Sequence, residues 1–205
     1  MTTTSSPLDV RPLTPGNFAD LAGLFDQGGD PKWCWCAYFR FRGRDWTNST
    51  PAQNRDALLE LARRDERTHP APGLIAVRDD RVVGWVSLGP RRDYERLAYS
   101  TVLAPIDDAP VWSIVCFVVA RRSRGQGIAA TLLDEAIGYA RVHGATTLEA
   151  YPVDVSDRRV PAASAFHGTL AMFERAGFQV VARRQWNASS PVRPIVRLSL
   201  TTPDG

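Results

Sequence analysis

The stretch "VWSIVCFVVARRSRGQGIAATLLDEA", from Val111 to Ala136, constrains this chain more than any other. Val111 to Val119 is almost wholly apolar, as a strand buried on both faces requires. Arg121, Arg122, Arg124, Gly125 and Gly127 follow at once. Ile128, Leu132, Leu133, Ala136, Ile137 and Ala140 then recur at helical spacing, and the pattern stops near Gly144. A helix that starts directly after a buried strand presents its unpaired N–H groups and the positive end of its dipole at the strand's carboxyl end. Glycines there remove Cβ atoms that would keep a ligand from the backbone, and three guanidinium groups add charge. The unit suits an anion of the pyrophosphate type.

The rest of the chain reads as alternating short strands and helices. A strand near Leu8–Pro12 precedes a helix with Thr14 at its N-cap and Pro15 at its first position. Thr50 and Gln53 form a capping box for a second helix, expected to reach about Arg67. "GLIAVRDDRVVGWVSLGP" predicts two strands joined at Asp79–Asp80. Arg91 to Asp108 is a long connection with room for one helical turn. After the helix that ends near Gly144, "TTLEAYPV" reads as a strand and Ser156–Pro161 as a polar loop. Phe166, Leu170, Phe173 and Ala176 space out a helical face closed by Gly177. "FQVVARRQW" and "PIVRLSL" are the last two strands. The order β-α-α-β-β-β-α-β-α-β-β predicts one mixed α/β domain over residues 8–205, preceded by a flexible tail at 1–7.

Composition narrows the function classes. A chain of 205 residues with 44% hydrophobic content is globular. Its net charge of +3 is compatible with an anionic ligand and too small to point to nucleic acid. It has no apolar run long enough for a membrane span, and "MTTTSSP" lacks the marks of a signal peptide. Three cysteines form no disulfide framework, so a cytoplasmic location is expected.

Two phosphate-binding motifs fail on the residues. Nucleotide hydrolases need Lys-Ser/Thr after the second glycine, whereas Gly127 is followed by Ile128 and Ala129. The dinucleotide fingerprint needs a third glycine and an early position in the chain. Arg122-Ser123-Arg124-Gly125-Gln126-Gly127 instead matches Q/R-x-x-G-x-G/A, and "FERAGF" (Phe173–Phe178) resembles the Y-E-K-x-G-F segment of the same family. The chain therefore resembles the GNAT N-acetyltransferases over about residues 8 to 200. That resemblance implies a mostly antiparallel mixed sheet, splayed at a bulge in the motif strand and flanked by helices. It implies acetyl-CoA as co-substrate and no metal. The pantetheine arm is expected along Phe117, Val118 and Val119. The pyrophosphate is expected on Arg122, Ser123, Arg124, Gly125, Gln126, Gly127, Ile128 and Ala129. The partner is an amine acceptor, on a small molecule, a peptide N-terminus or a lysine, and a homodimer is compatible with the resemblance.

The chain departs from the family where the chemistry is done. Phe173 stands at the position of the usual proton-donating tyrosine, Phe166 at that of a cofactor-contacting asparagine, and the motif strand carries no acid. Three side chains are candidate replacements. Glu149 and Tyr151 lie two apart on a strand and project to one face, where Glu149 could accept the amine's proton and Tyr151 could act as acid. Their plain alternatives are a solvent-facing or salt-bridged glutamate and a core tyrosine with a satisfied hydroxyl. His167 is the third candidate, with a surface histidine as its alternative.

"KWCWCAYF" (Lys32–Phe39) is the second unusual stretch. Cys34 and Cys36 supply two ligands and no neighbouring residue completes a zinc set. In the family this region overlies the acceptor, so Trp33, Trp35, Tyr38, Phe39 and Trp46 are expected as an aromatic wall; a hydrophobic cap on the core is the alternative. Direct acetyl transfer to a primary amine is the expected activity. The missing tyrosine also keeps open a non-catalytic acyl-CoA-binding regulatory module.

Overall fold

The computed structural model describes residues 6–154 and 166–201. The expected polar loop at Ser156–Pro161 and nearly all of the expected tail lie outside the described residues. Seven strands form one sheet in the order β1-β2-β3-β4-β5-β7-β6. They are β1 (Asp9–Pro12), β2 (Gly73–Arg78), β3 (Arg81–Pro90), β4 (Trp112–Val119), β5 (Thr147–Ala150), β6 (Gln179–Arg184) and β7 (Arg193–Ser199). Among the described strands β4 and β5 pair in parallel, and the other neighbours are antiparallel.

The helices divide between the two faces. On one face α1 (Phe18–Phe25), α4 (Pro51–Ala62) and the short α5 (Glu95–Tyr99) cover a core that includes Trp85, Val115, Tyr151 and Ile195. Two further short helices, α2 (Asp30–Cys34) and α3 (Gly43–Thr47), belong to the connection between α1 and α4. On the other face α6 (Ile128–Val142) and α7 (Leu170–Arg175) cover a second core with Leu74, Val86, Phe117 and Phe173. The close seat of α6 on the sheet depends on Gly84. A Cβ there would lie 2.7 Å from Ile128 Cγ2 and 2.9 Å from Leu132 Cδ1. The two side chains that open α6 are thereby pressed onto β3, which fixes where its N-terminus lies.

Local signals placed the capped ends well. Thr50 Oγ1 accepts from the Gln53 N–H, and the Gln53 side chain accepts from the Thr50 N–H. Asp79 and Asp80 take left-handed φ values of 50° and 56°, as a two-residue hairpin turn demands. Several boundaries differ from expectation: Pro15–Asn17 form a 3-10 turn, and α1 begins only at Phe18. α4 stops at Ala62, and Asp65 then caps a tight turn by accepting from Thr68 and His69. β5 is regular only to Ala150, because Pro152 has no N–H to give a ladder. α7 starts at Leu170 rather than near Phe166, because Gly168 sits at φ +74°. Among the described residues no helix is long and apolar enough to cross a membrane.

Candidate active site

The site begins where β4 parts from β5. The two strands pair only at Trp112–Leu148, Ser113–Glu149 and Ile114–Ala150. On its other side β4 pairs with β3 up to Val119, with a break in register where Ser87 faces Cys116 and Leu88 faces Ile114. Val115 is the extra residue. A bulge bends the strand that carries it, and from Val115 onward β4 has no β5 partner. Phe117, Val118 and Val119 therefore hold their β3 hydrogen bonds while their other edge is free of β5. Val118 and Val119 are half-buried.

At the end of that edge Arg121–Ser123 form a 3-10 turn, and Gly125 and Gly127 follow at φ +75° and +77°. A side chain at either glycine would be strained, although a Cβ would touch nothing within 4 Å. The glycines are thus required first by the backbone path. The earliest bonds of α6 run from Ala130 and Thr131 N–H to the Gly127 carbonyl, so the N–H groups before Ala130 have no partner within the helix. Arg121, Arg122 and Arg124 are exposed around this turn. The Arg78 guanidinium donates to Gln126 Oε1 at 2.7 Å, and Gln126 Nε2 donates to the Arg122 carbonyl at 3.2 Å. A cavity of about 440 Å³ lies here, lined by Arg78, Asp79, Arg81, Val83, Ser123 and Gln126. Arg78 and Arg81 were not foreseen. They flank the β2–β3 turn in sequence, but only the folded sheet brings that turn beside residue 126. The open edge, the left-handed glycines and the unpaired N–H groups fit an extended arm ending in a pyrophosphate.

On the α1 and α4 face, β5 directs Glu149 and Tyr151 to the same side, as their spacing required. Their surroundings were not legible. Glu149 is fully buried and paired with two guanidinium groups. Arg91 binds Oε1, and Arg197 Nε donates to Oε2 at 2.8 Å. The Tyr151 hydroxyl donates to Oε1 at 2.7 Å and lies 3.0 Å from Ser113 Oγ. Arg197 is held in turn by Asp107 through two bonds of 2.6 and 3.0 Å. Arg91 also donates to the Leu97 and Leu103 carbonyls, tying the β3–β4 connection to β5. Burial, followed by the Glu149 charge, raises the phenol of Tyr151 well above its ordinary value. These facts correct the acid–base expectation for the pair. Both Glu149 oxygens are committed to cations, and the phenol's proton is committed to Glu149, so the two side chains form a rigid frame rather than a proton relay open to a substrate.

His167 sits apart from that frame. The 166–169 segment enters the opening between the strands: Thr169 bridges to Val153, and the Val153 N–H donates to the Gly168 carbonyl at 3.0 Å. The imidazole is buried, with ring centroids 4.0 Å from Phe166 and 5.6 Å from Phe39. Among the described residues its Nδ1 has no partner. Burial first, and the positive charge of Arg193 second, lower its pKa to about 3, against a smaller opposing pull from the Val115 main chain. The ring is neutral at physiological pH. It is neither a surface residue nor an imidazolium acid, but a neutral ring with one buried nitrogen unpaired.

The expected aromatic wall divides. Trp35 is 4% exposed, stacks on Phe18, packs at a tilt against Phe25, and donates its indole N–H to the Lys32 carbonyl, so it belongs to the core. This corrects its expected role. Trp33 is 61% exposed and projects into solvent. Tyr38 and Trp46 remain at the surface in an edge-to-face pair at 5.3 Å, with Arg96 over the Tyr38 ring at 4.0 Å. Phe39, expected in the same wall, is buried and carries this segment to His167. Trp35 and Cys36 both take left-handed φ, and the Trp85 indole donates to Cys36 Sγ at 3.1 Å. Hydrogen bonding to neighbouring thiols, and then burial, raise the pKa values of Cys34 and Cys36, which disfavours thiolates. Among the described residues no group of three or more His, Cys, Asp or Glu side chains gathers as a metal site.

A sequence model of the acetyltransferase (GNAT) family matches residues 35–178. Solved structures of similar fold include an N-acetyltransferase from Staphylococcus aureus Mu50, at 17% identity and a TM-score of 0.55, covering 96% of this chain and all of that one. A polyamine N-acetyltransferase of Drosophila melanogaster, which forms N-acetylagmatine, aligns at 13% identity and a TM-score of 0.59 over 94% of this chain and all of that one. The PaiA N-acetyltransferase of Thermoplasma acidophilum, solved with coenzyme A, aligns at 14% identity and a TM-score of 0.53 over 95% of this chain and 99% of that one. No curated protein matches. At these identities the structural likeness speaks for the fold alone.

Proposed function

The chain belongs to the acetyltransferase (GNAT) family, and from that membership we propose that it is an acetyl-CoA-dependent N-acetyltransferase passing an acetyl group directly to a primary amine. The observation that carries this reading is the departure of β4 from β5 at Val115, which leaves a free strand edge leading into the glycine turn before α6. An extended amide-bearing arm can add to such an edge as a further strand would. The N–H groups of residues 124–129, with Arg121, Arg122, Arg124 and the unforeseen Arg78 and Arg81, supply the donors and charge for its pyrophosphate.

Acetyl-CoA supplies a thioester carbonyl already activated toward an amine. The chain's part is to bind, orient and manage one proton. His167 Nδ1, unpaired and neutral, accepts a hydrogen bond from the amine as it reaches the opening. Its lowered basicity makes it an orienting group, and the proton passes on to water. The Glu149–Arg91–Arg197 frame holds β5 and the β3–β4 connection in place beside it.

One observation favours a second reading, a non-catalytic acyl-CoA-binding regulatory module. Phe173 is fully buried against Phe117 and Phe178 and offers no proton, while the Tyr151 phenol is committed to Glu149. Release of free CoA from acetyl-CoA across a panel of primary amines separates the two. Amine-dependent release is the expected outcome. Acetyl-CoA binding with no release on any amine would instead establish the binding module.

A further inference from the structure

Three arginines on the α1 and α4 face of the sheet have partners among the described residues. Arg91 and Arg197 share Glu149, and Arg197 also holds Asp107. Arg184 donates to the carbonyls of Ala104 and Pro105. Arg193 has no such partner. It is half-buried, and its Nη1 is sealed from water without a hydrogen bond. Among the described residues no carboxylate lies within ion-pair distance of it. A guanidinium nitrogen removed from water and left unpaired costs free energy, and an anion that enters beside it recovers that cost.

The strand register says where that anion would sit. Ala150 on β5 faces Val196 on β7, and the two strands run antiparallel. Continuing the count sets Arg193 level with Val153, at the height where β4 and β5 have already parted. Side chains alternate along β7, so Arg193 shares a face with Ile195 and Arg197, the face of Tyr151 and Glu149. The charge of Arg193 reaches His167, and Tyr38 is near enough to stabilise that charge. Arg193 thus stands level with the opening, within electrostatic reach of Tyr38 and of His167, whose ring packs against Phe39 and Phe166.

We propose that Arg193 recognises a carboxylate on the acceptor, and that the acceptor is an α-amino acid with an apolar side chain. This rests on the acetyltransferase reading. The carboxylate pairs with the Arg193 guanidinium, the adjacent amine turns toward His167 Nδ1, and the side chain lies against the aromatic rings. A polyamine would bring a second cation toward Arg193, with Glu149 and Asp107 already engaged by Arg91 and Arg197.

The test uses leucine, methionine and phenylalanine, each beside the amine formed by removing its carboxylate, with agmatine as the polyamine. CoA release is measured for the wild type, Arg193→Lys and Arg193→Gln. Phenylalanine is also titrated calorimetrically into the CoA-saturated proteins, with melting temperature as the check on folding. For at least one amino acid, Arg193→Gln should lower kcat/KM about tenfold or more, as losing a charge-assisted bond does. The decarboxylated amine should change little, and Arg193→Lys should restore part of the loss. Equal losses on both members of every pair, or a wild-type preference for agmatine, would overturn the inference. Arg193-dependent binding of phenylalanine without CoA release would uphold the carboxylate site and overturn the acetyltransferase reading. Absence of turnover for every amino acid together with absence of phenylalanine binding would overturn the inference itself.

Discussion

Arginine does two opposite things in this molecule. Arg121, Arg122 and Arg124 surround the turn before α6 and are exposed, with their charge available to a ligand. Arg91 and Arg197 lie against the buried carboxylate of Glu149 and are spoken for. Exposed cations at a helix N-terminus act through field and hydrogen-bond donation, and salt screens them. A buried cation acts through the partner that justifies its burial, and removing that partner strands it. The role of an arginine here is therefore set by what faces it, and Arg193 resembles neither group, being half-buried without a partner.

The largest effect should come from breaking the buried set. Glu149→Gln leaves Arg91 and Arg197 facing a neutral amide, and loss of one partner of a buried pair costs about 3–5 kcal/mol. Chemical denaturation should show that loss. Unchanged stability with a large fall in kcat would restore Glu149 as the base and erase the contrast.

His167 probes the intermediate case. Its folded pKa of about 3 lies below the unfolded value of 6.5, so the unfolded chain binds the extra proton between those values. Stability should be full above about pH 6.5 and fall as pH drops toward 3, by roughly 4 kcal/mol at the low end. His167→Phe should flatten that slope in a pH series of unfolding curves. Arg193→Gln should reduce it in part, since burial is the larger cause.

At the exposed turn, Gly125→Asp with Gly127→Asp imposes left-handed φ on side-chain-bearing residues and adds negative charge. Acetyl-CoA at 100 times its Kd should stabilise the wild type by about 2.7 kcal/mol, and this variant by nothing measurable. Wild-type affinity in the variant would remove the pyrophosphate from this turn. The smallest effect belongs to Arg122→Ala with Arg124→Ala. Acetyl-CoA affinity should fall severalfold at low salt, the difference should shrink at high salt, and folding stability should hold within about 0.5 kcal/mol. A large, salt-independent loss of stability would mean that these arginines resemble the buried pair after all.

Much of the architecture was legible because it is written in neighbours along the chain. The apolar run Val111–Val119, the two glycines, the helical spacing from Ile128 and the capping residues Thr50 and Gln53 each act within a few residues. Strand, turn and helix N-terminus follow from that local chemistry. The Glu149–Tyr151 pairing on one face was legible for the same reason, as strand geometry alternates without reference to the fold.

What the sequence left open depends on contacts across long stretches of chain. Arg91 meets Glu149 across 58 residues, and Arg197 meets Asp107 across 90. No spacing rule links such positions, so a carboxylate read as a base proved to be the anchor of two guanidinium groups. Trp35 and Trp33 are separated by one residue, yet one is sealed in the core and the other stands in water, because left-handed turns at Trp35 and Cys36 redirect the chain. The sequence alone determined a strand–turn–helix unit able to hold an anion, since backbone donors need only local geometry. Tertiary structure alone decided which charges remain unpaired beside the opening, since the worth of a charge depends on burial and on the partner that folding brings to it.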